Sequence, residues 1–458
     1  MMFFNKTIVW MVIIFLLSSI FRLSNLHLIE FKSDEATTVY QTIQFFDRPY
    51  LIERGLISGT GVYNFPLFNY LMIPLSLWSH DPQVLSGAIA LINSLLIVVF
   101  FLLVKKYYSL LTAFFASLLL AFSPWGVIFS RKVWAQDLIF LFFIPFLWFL
   151  HEIILRKNTK VVFPMFVLLA LLAQLHGSGL FLSVVTILIL FILRIRLSLK
   201  SAAAGVLIGL IPAIPYFNFQ MNSLSSCPDC EAFLKYQNSI RIFDFNNFLR
   251  PFQIISGLGY HFVLGKTYSD FINVYPLVNL LKYVFALGFL AIISGILFVV
   301  MKKTKYLFLV IYFVFFPILY LITRTPAYMH YFVIVMPMSV LLFAISVTSA
   351  YSYAQGRFLK AMVIAGFSVF LVSNILFLYF FYNFLELKKR IEGDYGPVYP
   401  LTRSFIEKEI DSYKNLSYYP ELRSYAYIYA ESKNLHPKLG EFFLKKGDLK
   451  LAEKEFQR

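Results

Sequence analysis

Long apolar stretches separated by short polar segments run through most of the chain. A helix needs roughly 20 apolar residues, with a range of about 17 to 25, to cross the hydrocarbon core of a bilayer. Most of the stretches reach that length, and several fall slightly short of it. The pattern predicts an all-α polytopic membrane protein with about 11 transmembrane helices, at 7–21, 83–104, 110–129, 138–155, 161–175, 178–193, 201–217, 277–301, 306–322, 329–350 and 361–384.

The N-terminal stretch 7–21 has the apolar character of a signal peptide. A signal peptide ends in a cleavage site made of small residues. Here the apolar run continues into Arg22 and a polar loop, and no such site follows. We therefore interpret 7–21 as an uncleaved first helix.

Composition supports the membrane interpretation. Hydrophobic residues make up 59% of the chain and charged residues 14%, whereas a soluble globular domain carries roughly 25% charged residues. Aromatic residues reach 19%, which suits lipid-facing helices and interfacial belts. The formal net charge of +16 would suggest a nucleic-acid partner if the basic residues were clustered in a soluble domain.

One ambiguous apolar stretch, Phe65–Ser79, decides the predicted topology. It contains Pro66 and Pro74, it is short for a span, and counting it as a span would reverse the side of every later loop. Cytoplasmic loops carry an excess of Lys and Arg. If the stretch does not cross, fourteen basic residues and one acidic residue, Glu152, face the cytoplasm, while the outer loops hold eleven residues of each sign. We therefore predict that Phe65–Ser79 is juxtamembrane and that the N-terminus is cytoplasmic.

The positive charge thus indicates topology, and we expect no nucleic-acid partner. The basic residues assigned to the cytoplasmic side are Lys6, Lys105, Lys106, Arg156, Lys157, Lys160, Arg194, Arg196, Lys200, Lys302, Lys303, Lys305, Arg357 and Lys360.

Three regions on the predicted outer side are long enough to have structure of their own: 22–82, 219–276 and a tail, 385–458. We therefore divide the chain into a transmembrane domain, 1–384, and an outer C-terminal helical region, 385–458. Within the tail, Leu439–Phe456 resembles half of a tetratricopeptide unit, but an array needs about three units, so a small helical cap is the simpler interpretation. Cys227 and Cys230 lack a second ligand pair, which favours a local disulfide over a zinc site.

Ionisable side chains in or beside a membrane are costly, so their positions indicate function. Here they gather in four segments that the predicted topology places on the outer side. Each segment has an ordinary structural explanation when taken alone, such as a helix cap or a snorkelling cation. Their common side favours a shared pocket. The candidates are Asp34, Glu35, Arg131, Lys132, Asp137, His176, Arg324, His330 and Tyr331.

The order of these residues resembles that of the GT-C superfamily of membrane glycosyltransferases, most closely the protein O-mannosyltransferases and aminoarabinose transferases. Members have an Asp-Glu motif and juxtamembrane helices in the first outer loop, a Ser-Arg and then an Asp after the third span, a Gln-x-His, and a His/Arg-Tyr before a late helix with proline. The resemblance covers about residues 1–400. Its matches are Asp34-Glu35, Ala36–Phe46, Phe65–Ser79, Ser130-Arg131, Asp137, Gln174–His176, His330-Tyr331, Pro337 and Gly393-Asp394-Tyr395-Gly396.

The resemblance implies the GT-C fold and transfer of a sugar from a polyprenyl-phosphate-linked donor to a glycan, lipid or protein acceptor. Asp34 would be the general base, and Glu35 would orient it or bind the acceptor. The cations of Arg131, Lys132 and Arg324 would stabilise the phosphate leaving group. One carboxylate pair predicts a single displacement with inversion, whereas a phosphate acceptor would already be ionised and would need no base. The remaining candidates, Asp137, His176, His330 and Tyr331, would bind substrate.

No cofactor is certain from the sequence. Asp34, Glu35, Asp137 and His176 could supply ligands to a divalent cation, but no dedicated metal-binding spacing is present. A transporter or lipid flippase is the alternative function, although transporters bind their substrates near the bilayer midplane and the ionisable residues here gather at one face. We expect a multi-pass protein of the plasma membrane with its C-terminus outside.

Overall fold

Helices separated by short loops form the part of the chain that this computed structural model describes. Extended pairing within that part is limited to isolated bridges, one of which joins Glu30 to Val398. The all-α prediction is therefore confirmed. The structure describes residues 6–47, 49–58, 62–222 and 243–404, together with 440, 441 and 444.

We number the α-helices of the described residues in chain order. Their bounds are α1 Lys6–Leu23, α2 Ser33–Asp47, α3 Leu67–Ser76, α4 Pro82–Tyr107, α5 Leu110–Phe122, α6 Pro124–Ile128, α7 Ile139–Arg156, α8 Val162–Leu175, α9 Ser178–Ile192, α10 Leu199–Gly209, α11 Ile214–Asn222, α12 Arg250–Gln253, α13 His261–Leu264, α14 Tyr268–Val274, α15 Leu277–Lys302, α16 Leu307–Ile322, α17 Met336–Tyr353 and α18 Gly356–Lys388.

Seven helical segments of the described chain are long and apolar enough to cross a membrane, and they contain α1, α4, α7, α15, α16, α17 and α18. The bent pair α10–α11 would make an eighth span. The shorter apolar helices α5, α8 and α9 occupy the other three predicted spans. The chain is a multi-pass membrane protein in which every predicted span is helical, while the total of 11 crossings stays a prediction.

The first loop contains two of the helices expected from the sequence. The predicted helix 36–46 is observed as α2, which begins three residues earlier, at Ser33. Within the stretch 65–79, α3 has 10 residues, so its length is about 15 Å. That is half the thickness of a hydrocarbon core of about 30 Å, as a juxtamembrane helix requires.

The span predicted at 110–129 is two helices, because the first helix stops at Ser123. A proline disfavours the helical conformation of the residue before it, and Ser123 is extended (ψ 125°) ahead of Pro124. The Ser123 hydroxyl oxygen accepts a hydrogen bond from the Gly126 N–H at 3.3 Å and so caps α6. At the end of α5, the buried Arg22 guanidinium donates to the carbonyl of Ala121 at 3.0 Å, a favourable place for a cation.

The predicted single helix 201–217 is also interrupted. The α10 and α11 axes differ by 40° across a 3-10 turn, Ile211–Ala213, that contains Pro212. Proline removes a backbone donor and clashes with the preceding turn, which accounts for the bend. The predicted span 329–350 similarly starts as a 3-10 turn, Met329–Val335, and becomes α-helical only near Pro337.

The long helices pack into one bundle. α4 lies against α1, α5 and α7, α8 lies against α7, α9 and α10, and α17 lies between α15, α5 and α18. Backbones approach closely where side chains are small, as is usual between membrane helices. A Cβ atom on Gly295 of α15 would lie 2.0 Å from the carbonyl oxygen of Leu342 in α17. That contact therefore requires glycine.

The loops meet at two ends of this bundle. One end, here called the site end, is formed by the loops that follow α1, α2, α6, α8, α16 and α18. A contact there runs from the Arg131 guanidinium to the Ser24 carbonyl at 2.6 Å. The loops that follow α4, α7, α9, α15 and α17 form the distal end, where the Tyr306 hydroxyl donates to the Tyr107 carbonyl at 2.6 Å.

Two predictions fall on residues that the structure does not describe. Cys227 and Cys230 lie outside the described residues, as does nearly all of Leu439–Phe456. The division at residue 385 falls within α18, which continues to Lys388.

Candidate active site

The first turn of α2 separates two acidic neighbours. Asp34 and Glu35 both lie in that turn, where the helix dipole favours negative charge. Consecutive residues on an α-helix point about 100° apart. The Asp34 side chain is consequently exposed, whereas Glu35 is 1% exposed.

Glu35 holds the start of α2 in place. Its Oε2 accepts the N–H of Lys32 at 2.9 Å, and the Lys32 carbonyl accepts the first bond of the helix from the Ala36 N–H. This is the carboxylate half of a capping box. The other oxygen, Oε1, lies 3.6 Å from Nζ of Lys132. Glu35 thus faces the protein interior.

A group of charges, here called the charge cluster, lies behind α2 and consists of the buried Glu30, Glu35 and Lys132 and the partly exposed Lys32. Glu30 is 5% exposed, and its Oε2 lies 2.7 Å from Nζ of Lys132. Its Oε1 lies 2.5 Å from Nζ of Lys32. Burial raises the pKa of Glu30 although both lysines oppose the shift. Burial would lower the pKa of Lys132, but the nearby carboxylates outweigh it and raise that pKa, so Lys132 stays charged.

The loop that carries Lys132 is organised by Asp137. Oδ2 of Asp137 accepts the backbone N–H groups of Arg131 at 2.9 Å and Lys132 at 2.7 Å. The Arg131 guanidinium donates to the carbonyl of Asn25 at 2.5 Å and to the hydroxyl of Tyr382 at 3.0 Å. Arg131 therefore joins the end of α1 to α18, and both Arg131 and Asp137 are buried.

A cavity of about 120 Å³ opens at the site end beside Asp34. We call it the site cavity. Among the residues that the structure describes, Asp34 is the only carboxylate in its lining. The other lining residues include amides, imidazoles and aromatic rings, which are Asn64, Asn69, Gln136, His176, His330, Phe65, Phe68, Trp134 and Tyr331.

Several groups act on the Asp34 carboxylate. Burial by the surrounding protein raises its pKa, although the side chain is open to the cavity. The positive charges of Lys132 and Lys32 and a hydrogen bond from Trp134 lower the pKa, while the negative charge of Glu30 raises it. The net direction is upward, so Asp34 is a stronger base than an aspartate in water.

His176 faces the site cavity as a neutral ring. Burial lowers its pKa to about 4. Its Nδ1 accepts the backbone N–H of Ser178 at 3.2 Å, so the proton of the neutral imidazole is on Nε2. The ring lies 6.2 Å from that of His330 and 5.5 Å from that of Tyr331, measured between centroids. His176 therefore offers a hydrogen-bond donor at physiological pH.

Trp134, His330 and Tyr331 form an aromatic wall in the lining of the site cavity. The His330 ring lies 4.8 Å from Trp134 and stacks on Tyr328 at 5.6 Å. Tyr331 stacks on Tyr320 at 5.7 Å. The Lys132 ammonium lies over the Trp134 ring, 4.2 Å from its centroid. The aromatic wall therefore contacts the charge cluster through Trp134 and Lys132.

The structure separates the predicted site residues into three groups. Asp34, His176, His330 and Tyr331 line the site cavity. Glu35, Arg131, Lys132 and Asp137 are buried behind it. Arg324 lies elsewhere at the site end, with a left-handed backbone (φ 53°) and its guanidinium 5.1 Å from the Phe243 ring.

Sequence reasoning missed part of this site. Glu30 and Lys32 are absent from the candidates, although Glu30 is an acidic residue between the apolar Leu28-Ile29 and Phe31. Trp134 and Gln136 stand between Lys132 and Asp137, which were both candidates. Two signals in the sequence could have identified these residues. Glu30 is an acidic residue inside an apolar run, and Trp134 and Gln136 are close neighbours of candidate residues.

The possible metal ligands do not converge. Asp34 and His176 line the site cavity, whereas Glu35 and Asp137 turn away from it. In the described ranges, no group of three or more His, Cys, Asp or Glu residues is arranged to hold a metal ion. The divalent cation stays a prediction.

The segment 393–399, which follows α18, packs against the first loop. The Tyr395 hydroxyl donates to the Leu28 carbonyl at 2.5 Å, and the Tyr399 N–H donates to the Ile29 carbonyl at 3.0 Å. Lys32 lies 3.6 Å from the carboxylate of Asp394. The segment after the last long helix is therefore part of the support of α2.

No protein-family model matches the chain, and no curated protein matches its sequence. Its structure is similar to the oligosaccharyltransferase of Archaeoglobus fulgidus in complex with Zn and sulfate, with a TM-score of 0.54 and 14% identity, over 90% of this chain and 57% of that one. It is also similar to the archaeal oligosaccharyltransferase AglB from Archaeoglobus fulgidus in complex with an inhibitory peptide and a dolichol-phosphate, with a TM-score of 0.52 and 12% identity, over 98% of this chain and 68% of that one.

A further similarity is to ArnT from Cupriavidus metallidurans bound to undecaprenyl phosphate, with a TM-score of 0.49 and 13% identity, over 98% of this chain and 73% of that one. The two oligosaccharyltransferase comparisons confirm the expected GT-C fold, because the chain shares the architecture of these solved structures. The chain spans 57% of the length of the first of these oligosaccharyltransferases.

Proposed function

We propose that the protein transfers a sugar from a polyprenyl-phosphate-linked donor to an acceptor bound at the site end. The observation that carries the proposal is the site cavity, where Asp34 faces two histidines and an aromatic wall. A sugar has apolar C–H faces that suit aromatic rings and hydroxyl groups that suit amides, imidazoles and a carboxylate. The AglB complex with a dolichol-phosphate supports a lipid-linked phosphate as the donor class.

Asp34 is the proposed general base. The acceptor hydroxyl oxygen attacks the anomeric carbon and forms the new C–O bond while its proton passes to Asp34. The bond between the anomeric carbon and the phosphate oxygen breaks, and the lipid phosphate leaves with the electron pair. The raised pKa of Asp34 strengthens it as a base. With a phosphate acceptor no proton is transferred, and Asp34 positions the acceptor instead.

Inversion at the anomeric carbon follows from the single carboxylate in the described lining of the cavity. A retaining glycoside hydrolase uses two carboxyl groups about 5–5.5 Å apart, one of them as a nucleophile, and a transferase working by the same double displacement would need a second carboxylate in the cavity. Glu35 is adjacent to Asp34 in sequence, but it caps α2 and faces Lys132. We therefore assign Glu35 to positioning Asp34 and not to a second chemical step.

The other predicted residues divide between binding and positioning. His176, His330 and Tyr331 hold hydroxyl groups of the sugar or the acceptor, with the Nε2 proton of His176 as one donor. Arg131, Lys132 and Asp137 build the loop behind the cavity through their mutual contacts. Lys32, whose side chain is 32% exposed, and the exposed Arg324 are the proposed contacts of the donor phosphate, because a preorganised cation stabilises a departing anion.

The membrane orientation belongs to the same proposal. The loops of the distal end carry most of the basic residues, and by the positive-inside rule this supports a cytoplasmic distal end. The site end then faces the outside of the plasma membrane, together with the C-terminal region that follows α18. Glycan, lipid and protein acceptors all remain compatible with that location.

Transfer of label from radiolabelled polyprenyl-phosphate sugars by the purified chain in proteoliposomes tests the proposal. We expect Asp34→Asn to lower the transfer rate by about 10²- to 10⁴-fold, the usual contribution of a general base. Asp270→Asn is the matched control, because Asp270 is an exposed carboxylate outside the site cavity. Transfer that is equal in Asp34→Asn and wild type would remove Asp34 as the base. Absence of transfer with every donor, with lipid or solute crossing the vesicles, would establish a transporter.

A further inference from the structure

The charges around the site cavity restrict the kind of sugar that it can hold. Asp34 is the only carboxylate in the lining that the structure describes, and that part of the lining contains no lysine or arginine. Its other polar side chains are hydroxyls, amides, imidazoles and an indole, which form hydrogen bonds without a fixed charge. An acidic sugar in the cavity would therefore meet a carboxylate and no cation.

The two imidazoles of the lining do not supply the missing positive charge. Burial lowers the pKa of His176 to about 4, so its ring is neutral at physiological pH. An imidazole with the ordinary pKa of about 6.5 is almost entirely uncharged at about pH 8, which applies to His330 as well. Asp34 must be ionised to act as a base. The working state of the cavity thus carries one negative charge.

The two cations behind the cavity are engaged with protein groups. Nζ of Lys132 lies 2.7 Å from Glu30 and 3.6 Å from Glu35, and its side chain is 6% exposed. The guanidinium of Arg131 donates to two backbone carbonyls and a tyrosine hydroxyl. Two carboxylates therefore oppose the charge of Lys132, and neither cation reaches the lining of the cavity.

Two more accessible cations of the first loop are also directed elsewhere. Lys32 lies 2.5 Å from Glu30, and it is the proposed contact of the donor phosphate. The Arg54 guanidinium lies 4.2 Å from the Tyr63 ring and 4.6 Å from the Phe219 ring, two rings that are not part of the cavity lining. The carboxylate in the lining therefore has no cation facing it across the cavity.

The small size of the cavity keeps every substituent of a bound sugar near Asp34. A sphere with the cavity volume of about 120 Å³ is about 6 Å across. At an effective dielectric constant of about 20, two like charges about 6–8 Å apart disfavour binding by roughly 30- to 100-fold. The loss of water around an unpaired carboxylate adds to this cost. A hydroxyl group in the same place carries no such penalty, because amides and imidazoles can bond it.

We propose that the site cavity selects a sugar that carries no acidic group, so that a uronic acid or another acidic sugar is excluded from the donor. This inference rests on the function proposed above and concerns only which sugar the cavity accepts. The rings of Trp134 and Tyr331 cover the C–H face of the sugar. Asn64, Asn69 and His176 form hydrogen bonds with its hydroxyl groups.

Equilibrium binding to the full-length chain in phosphatidylcholine nanodiscs at about pH 8 tests this selection. The probes are tritiated decaprenyl phosphate esters of glucose, of glucuronic acid and of methanol. The first two differ only in a hydroxymethyl group or a carboxylate at C6, and the methyl ester keeps the phosphate charge without a sugar. We expect the glucose ester to bind at least about 30-fold more tightly than the glucuronic acid ester, which equals about 2 kcal/mol. It should also bind more tightly than the methyl ester.

Variants that place a cation in the lining should relax the selection. Asn64→Lys does so from a half-buried position of the first loop, and it should tighten binding of the glucuronic acid ester by about tenfold. Gln136→Lys adds the same charge from the loop after α6 and is the second variant. Ser269→Lys is the matched control, because Ser269 is exposed on α14 and outside the cavity lining. It should leave the ratio of the two dissociation constants unchanged.

The outcomes separate this inference from the proposed function. Equal dissociation constants for the glucose and glucuronic acid esters would overturn the selection and leave the proposed transfer reaction standing. Equal values for the glucose and methyl esters would show that the cavity does not hold the sugar of the donor, which also overturns the selection. Failure of all three esters to bind would remove the proposed donor class and this inference with it. An equal gain in Ser269→Lys and Asn64→Lys would attribute the effect to general surface charge and not to the lining.

Discussion

Replacing Lys132 by methionine tests whether the charge cluster is what holds α2 beside the cavity. Nζ of Lys132 lies 2.7 Å from Glu30, and the two side chains are 6% and 5% exposed. The pair Lys388 and Asp270 is equally short, 2.8 Å, but its side chains are 37% and 47% exposed. Removing one partner of a buried pair costs about 3–5 kcal/mol, whereas an exposed pair contributes at most about 1 kcal/mol. We therefore expect Lys132→Met to lose about 3–5 kcal/mol of unfolding free energy and Lys388→Met at most about 1 kcal/mol.

The unfolding free energy that Lys132→Met loses should depend on pH in a defined direction. Burial raises the pKa of Glu30, and the positive charge of Lys132 opposes that shift. Without Lys132 the pKa rises further above its unfolded value, so the folded variant binds a proton more readily than the unfolded chain does. A group of that kind stabilises the folded state as pH falls. The deficit of Lys132→Met should therefore be smaller at pH 5 than at pH 8.

Denaturant unfolding in mixed micelles, followed by tryptophan fluorescence at both pH values, measures these free energies. The double variant Glu30→Gln with Lys132→Met should recover part of the loss, because it leaves no unpaired buried charge at residue 30. Equal losses for Lys132→Met and Lys388→Met would refute the reasoning. A deficit that grows toward pH 5 would contradict the assigned role of Glu30.

Three further predictions concern the site end. Glu35→Gln should retain much more sugar transfer than Asp34→Asn but unfold more readily, because Glu35 caps α2 and faces Lys132; similar transfer rates in both variants would contradict that division. The pH profile of kcat/KM should show an acidic limb set by the raised pKa of Asp34. It should show no limb near pH 6.5, since the pKa of His176 is about 4. Lys32→Met should move the acidic limb to higher pH, because it removes a cation that lowers the pKa of Asp34. Gly393→Ala should destabilise the protein by about 1–3 kcal/mol in thermal unfolding, since the added Cβ would lie 2.4 Å from the Gly265 nitrogen. Gly366→Ala, with open space around the added Cβ, should be neutral or slightly stabilising. Equal melting temperatures of the two variants would disprove the close contact at Gly393.

Apolar patterning predicted the helices well because each predicted span must satisfy its backbone hydrogen bonds internally. It could not predict where helices break inside an apolar run. Ser123 and Pro124 end α5, and Pro212 bends the chain between α10 and α11. Hydropathy does not register these interruptions, since a proline changes backbone hydrogen bonding with little change in the polarity of the segment.

The sequence predicts which segments form the site, but it does not predict which way their side chains point. Asp34 and Glu35 form one motif in the sequence, yet adjacent positions on a helix point in different directions, so Asp34 lines the cavity and Glu35 is buried. Glu30 was missed because its buried partner, Lys132, is identified only by the packing of the loop after α6 against the first loop. Long-range pairing of that kind leaves little signal in a single sequence.

The attachment of the first loop to the segment after α18 sets an order of events during synthesis. The Tyr395 hydroxyl bonds a carbonyl 367 positions earlier, at Leu28, and the Ile29 carbonyl accepts the N–H of Tyr399. Translation proceeds at about 5–20 residues per second, so the first loop waits on the order of 20–70 seconds for these partners. A nascent or truncated chain that ends before residue 394 therefore has α2, the helix of Asp34, without its final support. On the proposed role of Asp34, the protein would acquire activity only after residues 394–399 have been made, and a stop before them would yield an inserted but inactive bundle.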